Sequence, residues 1–180
     1  MRKIATAGGV IALALVLGAC ASIPRPGPVG NRAVPSPAKR VELKRYMGRW
    51  YEQYRYEASF QKDMDFVSAD YSLNSASTVK VSNRGCKPNG KWKQSTGKAR
   101  IVDADTNAKL KVSFFGPFYG DYWVLDHGDD YDWSIVGEPS GRYLWILTRD
   151  KQPAAELLAS LEARAKALGY DWSLIRRTKQ

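Results

Sequence analysis

Gly48-Arg49-Trp50-Tyr51-Glu52 is the stretch on which the fold turns. Glycine has no Cβ, so the backbone there can approach another segment closely. Trp50 offers a large side chain to plug a closed end. Beyond it, Glu52, Tyr54 and Tyr56 continue a period of two, the spacing of a strand. We expect a strand over 49–58, after a helical turn around 41–47. If Trp50 points inward, strict alternation sends Glu52, Tyr54 and Tyr56 inward too.

Seven more strand-like runs follow, at 66–74, 78–86, 94–103, 108–116, 119–127, 131–138 and 142–149. Turn chemistry separates them: Asn74-Ser75-Ala76, Pro88-Asn89-Gly90, Ala104-Asp105-Thr106-Asn107, Gly128-Asp129-Asp130 and Pro139-Ser140-Gly141. Short runs with hairpin-length links predict an all-β fold, an antiparallel up-and-down barrel or a sandwich. One amphipathic helix, from Pro153 to Leu168, places Leu157, Leu158, Leu161, Ala165 and Leu168 on one face, and Gly169 stops it. A lone helix after the strands must pack outside the sheet. A short last strand over 173–177 follows it.

The rest of the chain is organised differently. All the aromatic residues lie between Tyr46 and Trp172, so the core does as well. Residues 21–40 hold five of the nine prolines and no apolar period. They read as a stiff, solvated spacer with a reach of ~60 Å when extended. Before it, Arg2 and Lys3 precede an uncharged run from Ile4 to Ala19, the pattern of a secretory signal. Leu17-Gly18-Ala19-Cys20 resembles the bacterial lipobox, which implies cleavage before Cys20 and acyl chains on it. An uncut signal anchor is the competing reading. Ala21, rather than Asp, after Cys20 implies by the same resemblance an outer-membrane destination. We therefore divide the chain into a signal peptide (1–19), a lipidated Cys and Pro-rich tether (20–40), and one domain (41–180). The formal net charge of +10 suggests anionic partners.

The domain resembles the lipocalins. Gly48-x-Trp50 matches their first motif, Asp121-Tyr122 their second with Gly120 in place of Thr, and Arg149 their third. Lys111-Val-Ser-Phe-Phe-Gly-Pro-Phe-Tyr-Gly120 is similar to a stretch of the bacterial outer-membrane lipocalins. The resemblance implies an eight-stranded up-and-down barrel with one C-terminal helix outside. It makes Gly48, Trp50, Asp121 and Arg149 structural, with Arg149 over the Trp50 indole, a contact of ~1–2 kcal/mol when desolvated. It also implies a fatty acid or lysophospholipid as ligand, a role in lipid storage, transport or membrane maintenance, and admits a homodimer.

An eight-stranded barrel holds one small ligand. The expected lining is Tyr54 and Tyr56 on the first strand, Tyr71 on the second, Val112 and Phe114 on the fifth, Tyr122 on the sixth, and Tyr143, Trp145 and Leu147 on the last. The loop 115–120, with Phe118 and Tyr119, lies at the open end. It reads as a portal for an apolar ligand, as a patch that meets a protein or the membrane, or as rings folded into the core. Lys87, Lys91, Lys93 and Arg142 either attract a lipid head group or form a solvated basic face. Burying ~12 methylenes contributes ~10 kcal/mol gross, much of it offset by ordering the chain.

No enzyme pattern competes well. Cys86 and His127 fall at opposite barrel ends, so they form no nucleophile–base pair. The acidic turn Asp126, Asp129, Asp130, Asp132 lacks the EF-hand spacing, and there is no zinc spacing or phosphate loop. We expect no cofactor, no metal and no nucleic-acid partner. Glu52 and Tyr54 are the only inward groups that would suit chemistry on a bound lipid. A filled barrel that docks a partner through its aromatic loop is the alternative function.

Overall fold

The computed structural model describes residues 27–180; the predicted signal peptide and Cys20 lie outside the described residues. Nine strands form one antiparallel sheet: β1 (Gly48–Tyr56), β2 (Asp65–Leu73), β3 (Thr78–Cys86), β4 (Trp92–Ile101), β5 (Lys109–Phe115), β6 (Phe118–His127), β7 (Trp133–Gly137), β8 (Leu144–Thr148) and β9 (Ile175–Arg177). Each of β1–β8 pairs with its neighbours in sequence, and β1 pairs with both β2 and β8, which closes the barrel. A short helix, α1 (Leu43–Tyr46), precedes β1, and α2 (Ala155–Ala167) follows β8. The base is the end where β1 starts, and the open end carries the loops 57–64, 87–91, 116–117 and 138–143.

Alternating side chains make two cores, one on each side of the wall. Trp50, Val124, Val136 and Leu147 are buried inside, continuous with Val79, Val81, Ala99 and Leu110. Outside, Leu125, Ile135, Leu144 and Ile146 are buried under Leu161 and Ala165 of α2. All five residues of β7 are buried because both of its faces are covered.

Strict alternation fails in β1. Glu52 pairs with Leu147 but Tyr54 with Ile146, so Gln53 is an extra residue in a β-bulge. Gln53 and Tyr54 both face outward, and the parity of everything beyond is reversed. Tyr54 packs edge-on against Trp172, with ring centroids 5.2 Å apart. Tyr56 packs against Tyr170 and donates to the Asp171 carbonyl at 2.8 Å. The expectation that Tyr54 and Tyr56 line the interior is therefore corrected: both belong to the outer core, and Arg55 takes the inward position.

The expected spacer is corrected as well. From Gly27 onward it lies on the barrel. Gly30 N donates to Gly141 O at 2.9 Å, the Asn31 amide to Leu168 O at 2.9 Å, and Val34 packs in the outer core. A Cβ on Gly30 would sit 2.2 Å from the Tyr56 ring. Pro35 and Pro37 thus shape a strap that runs from the open end to the base, where Lys39 donates to His127 O at 2.7 Å.

Candidate functional site

The base is shut by a polar clasp. The Arg149 guanidinium lies 3.8 Å from the centre of the Trp50 ring. It donates to the carbonyls of Arg49, Arg45 and Met47 at 2.8, 2.8 and 2.7 Å. Trp50 Nε1 donates to Tyr46 O at 2.9 Å. Gly48 has φ 95°, and a Cβ there would come 3.2 Å from Arg149, so glycine meets both the conformation and the close approach. Burial draws the Arg149 pKa down, against the pull of nearby Tyr46 and Tyr71.

Above the clasp is a floor of tyrosines. Tyr122 Oη lies 3.1 Å from Tyr46 Oη and 3.0 Å from Tyr71 Oη, and Tyr46 also reaches Ser134 Oγ at 2.9 Å. Burial pushes all three tyrosine pKa values up. These are neutral hydroxyls bonded to one another. Tyr71 and Tyr122 face the interior, but their hydroxyls are engaged in the floor.

The middle of the barrel is apolar. Val112, Leu147 and Trp145 face inward. Phe114 lies over Gly97, where a Cβ would meet its ring at 2.8 Å. Gly120 pairs with inward-facing Val112, and a Cβ built on it would meet nothing within 4 Å. Gly120 is itself exposed, two residues into β6 from the open end, so this is space at the barrel mouth. Asn83 faces inward from β3, paired with Ala69, which in turn pairs with Trp50. Its buried Oδ1 has no hydrogen-bond partner among the described residues.

At the open end, Tyr143 stacks on Trp145 with centroids 5.7 Å apart and 3° between planes. Phe60 packs on Tyr143 at 5.9 Å. Trp145 Nε1 donates to Gln61 at 3.3 Å, and Gln61 donates to Glu52. Loop 57–64 is thus drawn over one side of the mouth. Phe115 and Phe118 are 80% and 77% exposed, so these lip rings do not fold into the core. Tyr119 differs from the expected lining: it faces outward under Arg100, 4.9 Å from its ring centre. Asp121 lies on the same outer face, 2.8 Å from Lys111, and takes no part in the base clasp.

One inward cluster is half legible in the sequence: alternation turns Glu52 inward but gives no signal for Arg55. Arg55 and Glu52 are both buried and 2.7 Å apart. Arg55 also donates to Glu57 Oε1 at 2.8 Å, to the Met64 and Gln61 carbonyls at 2.9 and 3.2 Å, and to Thr178 Oγ1 at 3.1 Å. Burial works to lower its pKa, but the carboxylates of Glu52 and Glu57 outweigh that and raise it. Every guanidinium N–H is engaged, so the cluster ties β1, loop 57–64 and the C-terminal strand together rather than offering donors to a ligand. The bulge that turns Arg55 inward contains neither Gly nor Pro.

Two open clefts, of about 550 and 320 Å³, lie on the outer wall beside Phe66 and Lys151. Cys86 stands at the open end of β3 and His127 at the base end of β6, where its ring stacks on Tyr131 at 4.4 Å. Among the described residues, no cluster of His, Cys, Asp and Glu is arranged to hold a metal, and no helix is long and apolar enough to cross a membrane.

Residues 41–180 match the family described as Lipocalin-like domain. The chain is 42% identical over 133 residues to the outer membrane lipoprotein Blc of Escherichia coli (strain K12), covering 73% of this chain and 75% of that one. It is 36% identical over 181 residues to the outer membrane lipoprotein Blc of Citrobacter freundii, covering 100% and 98%. Insecticyanin from the tobacco hornworm Manduca sexta shares the fold, with a TM-score of 0.64 at 18% identity over 87% of this chain and 88% of that one. The family match spans the whole barrel, and the barrel carries the Gly48, Trp50 and Arg149 clasp. The chain belongs to the lipocalins, a family of binding proteins for small hydrophobic ligands.

Proposed function

We propose that this lipocalin is anchored to the outer membrane through acyl chains on Cys20, faces the periplasm, and carries one single-chain lipid, a fatty acid or a lysophospholipid. The observation that supports this reading is a barrel open at the mouth beside exposed Gly120 and lined below it by inward apolar side chains, Val112, Leu147 and Trp145. Apolar surface of this kind gains from burying an acyl chain. The floor below is closed and its hydroxyls are paired, so the chain enters from the open end and its head group stays near Tyr143. Such a carrier would move or store lipid during membrane maintenance without altering it.

The test uses residues 20–180 with Cys20→Ser, so that no acyl chain of the protein's own fills the barrel. Lysophospholipid and fatty acid are titrated while tryptophan fluorescence is followed. Saturable micromolar binding, weakened at least tenfold by Trp145→Ala, is the expected result. A folded domain that responds to neither lipid would leave the filled scaffold as the better reading.

A further inference from the structure

We infer that the open end of the barrel is the membrane-facing end and rests on an anionic lipid surface. This rests on the proposed anchoring at Cys20.

The first observation is where the chain joins the barrel. Gly27 O accepts a hydrogen bond from Arg142, and Gly30 and Asn31 N–H groups donate to Gly141 O at 2.9 and 3.2 Å. Arg142 and Gly141 belong to the loop between β7 and β8, at the open end. Only six residues lie between Cys20 and Gly27, and the seven steps span at most ~25 Å. The strap 27–40 is already spent on the barrel wall, so it adds nothing to that reach. An anchor at Cys20 therefore holds the open end near the bilayer, with the base on the far side.

The second observation is the composition of that end. Phe60, Phe66, Trp92, Phe115 and Phe118 are all exposed there, whereas the exposed large apolar residues at the base are Leu73 and Val102. Aromatic side chains at this density suit the head-group level of a bilayer. Around them stand exposed Lys62, Lys87, Lys91 and Lys93, and Arg84 over the Trp92 ring at 4.2 Å. Of the nearby acids, Glu57 and Asp65 are taken by Arg176, and Glu138 is buried and accepts from Ser140 and the Arg142 N–H, which leaves Asp63. The base carries the acidic loop, with Asp129 and Asp130 facing Lys39 and Arg45. A cationic, aromatic ring at one end, and paired charges of both signs at the other, orient the barrel against negative charge. The consequence is that a lipid passes between bilayer and barrel without its chain crossing water.

The test places a fluorophore that reports polarity at Phe118→Cys, or at Ser75→Cys in the base hairpin, each with Cys86→Ser. The acylated chain is reconstituted into vesicles of phosphatidylcholine with phosphatidylglycerol. The label at position 118 is expected to blue-shift and to be quenched by shallow nitroxide lipids, several-fold more than the label at 75. Lys87→Glu/Lys91→Glu/Lys93→Glu should remove most of that difference. Equal responses, a larger response at 75, or none at either site with the chain retained on vesicles would overturn the inference. So would a response at 118 to added unlabelled protein in the absence of vesicles, which would assign the rim to a second copy. Retention lost on Cys20→Ser reads the anchor, and the Trp145→Ala titration reads ligand binding, so the three can fail separately.

Discussion

Glu52 and Arg55 are three residues apart in one strand, yet their charged groups meet 2.7 Å apart inside the wall. Ordinary alternation would set them on opposite faces; the extra residue Gln53 brings them to the same one. Removing one partner strands a buried charge, whereas replacing both with apolar groups removes the desolvation cost along with the attraction. Glu52→Gln or Arg55→Met alone should each cost ~3 kcal/mol, and Glu52→Leu/Arg55→Met together less than the larger single loss. Urea unfolding of the four proteins checks this; simple addition of the two single costs would show that the pair acts independently.

The base clasp makes a second prediction. Arg149 gives up a cation–π contact and several charge-assisted bonds to carbonyls when truncated. Arg149→Ala should lose ~3 kcal/mol and lower Tm by about 10 °C. The floor of Tyr46, Tyr71 and Tyr122 separates the clasp from the apolar middle, so lipid affinity measured below the new Tm should change less than threefold. A parallel loss of affinity would mean that the clasp shapes the ligand space directly.

What the residues disclosed, and what they hid, follows from how far each signal reaches. Gly48, Trp50 and Arg149 mark the two strands that meet at the base, and Val112, Trp145 and Leu147 keep the parity read from their strands. Parity is a local rule, and it survives until a residue is inserted. Gln53 is such an insertion and looks like any strand residue, so alternation sends Tyr54 and Tyr56 to the wrong face and passes over Arg55. Tyr119 is a different case: regular alternation along β6, from inward Tyr122 through outward Asp121 and inward Gly120, sends it outward, and treating 115–120 as a loop hides that. Proline-rich composition likewise resembled a free tether, although Gly30 against the Tyr56 ring and Asn31 against Leu168 O hold the strap in place. Those contacts join segments far apart in sequence, and no window of residues contains them.

The tyrosine floor gives the fold an alkaline limit. Tyr46, Tyr71 and Tyr122 have their pKa values raised chiefly by burial, and Tyr56, beneath the C-terminal segment, is pushed up to about 12. A tyrosine held neutral in the folded state and ionising near 10 when unfolded stabilises the fold fully below pH 10. That contribution falls as pH rises toward the folded pKa. Stability should therefore be flat across neutral pH and fall from pH 10 toward 12. Absorbance at 295 nm should rise in two steps, exposed tyrosines first and the buried set together with loss of near-ultraviolet dichroism. A single step centred near 10, with the fold intact, would show that the floor is open to water.

Two cores on opposite sides of one wall should be separable by mutation. Leu161 of α2 is fully buried against Leu144 and Ile146, whose strand neighbours Trp145 and Leu147 face the interior. Leu161→Ala removes packing from the outer core and leaves a cavity there, at a cost of ~3 kcal/mol. Its effect on lipid affinity should stay within twofold, because no inner side chain touches the vacated space. Trp145→Ala should show the reverse, with a smaller loss of stability and at least tenfold weaker lipid binding. Thermal unfolding and fluorescence titration on the same two variants decide the matter. If Leu161→Ala weakens binding as much as Trp145→Ala, the wall transmits strain between its faces, and the helix would then be part of the ligand site rather than a cover for the outer core.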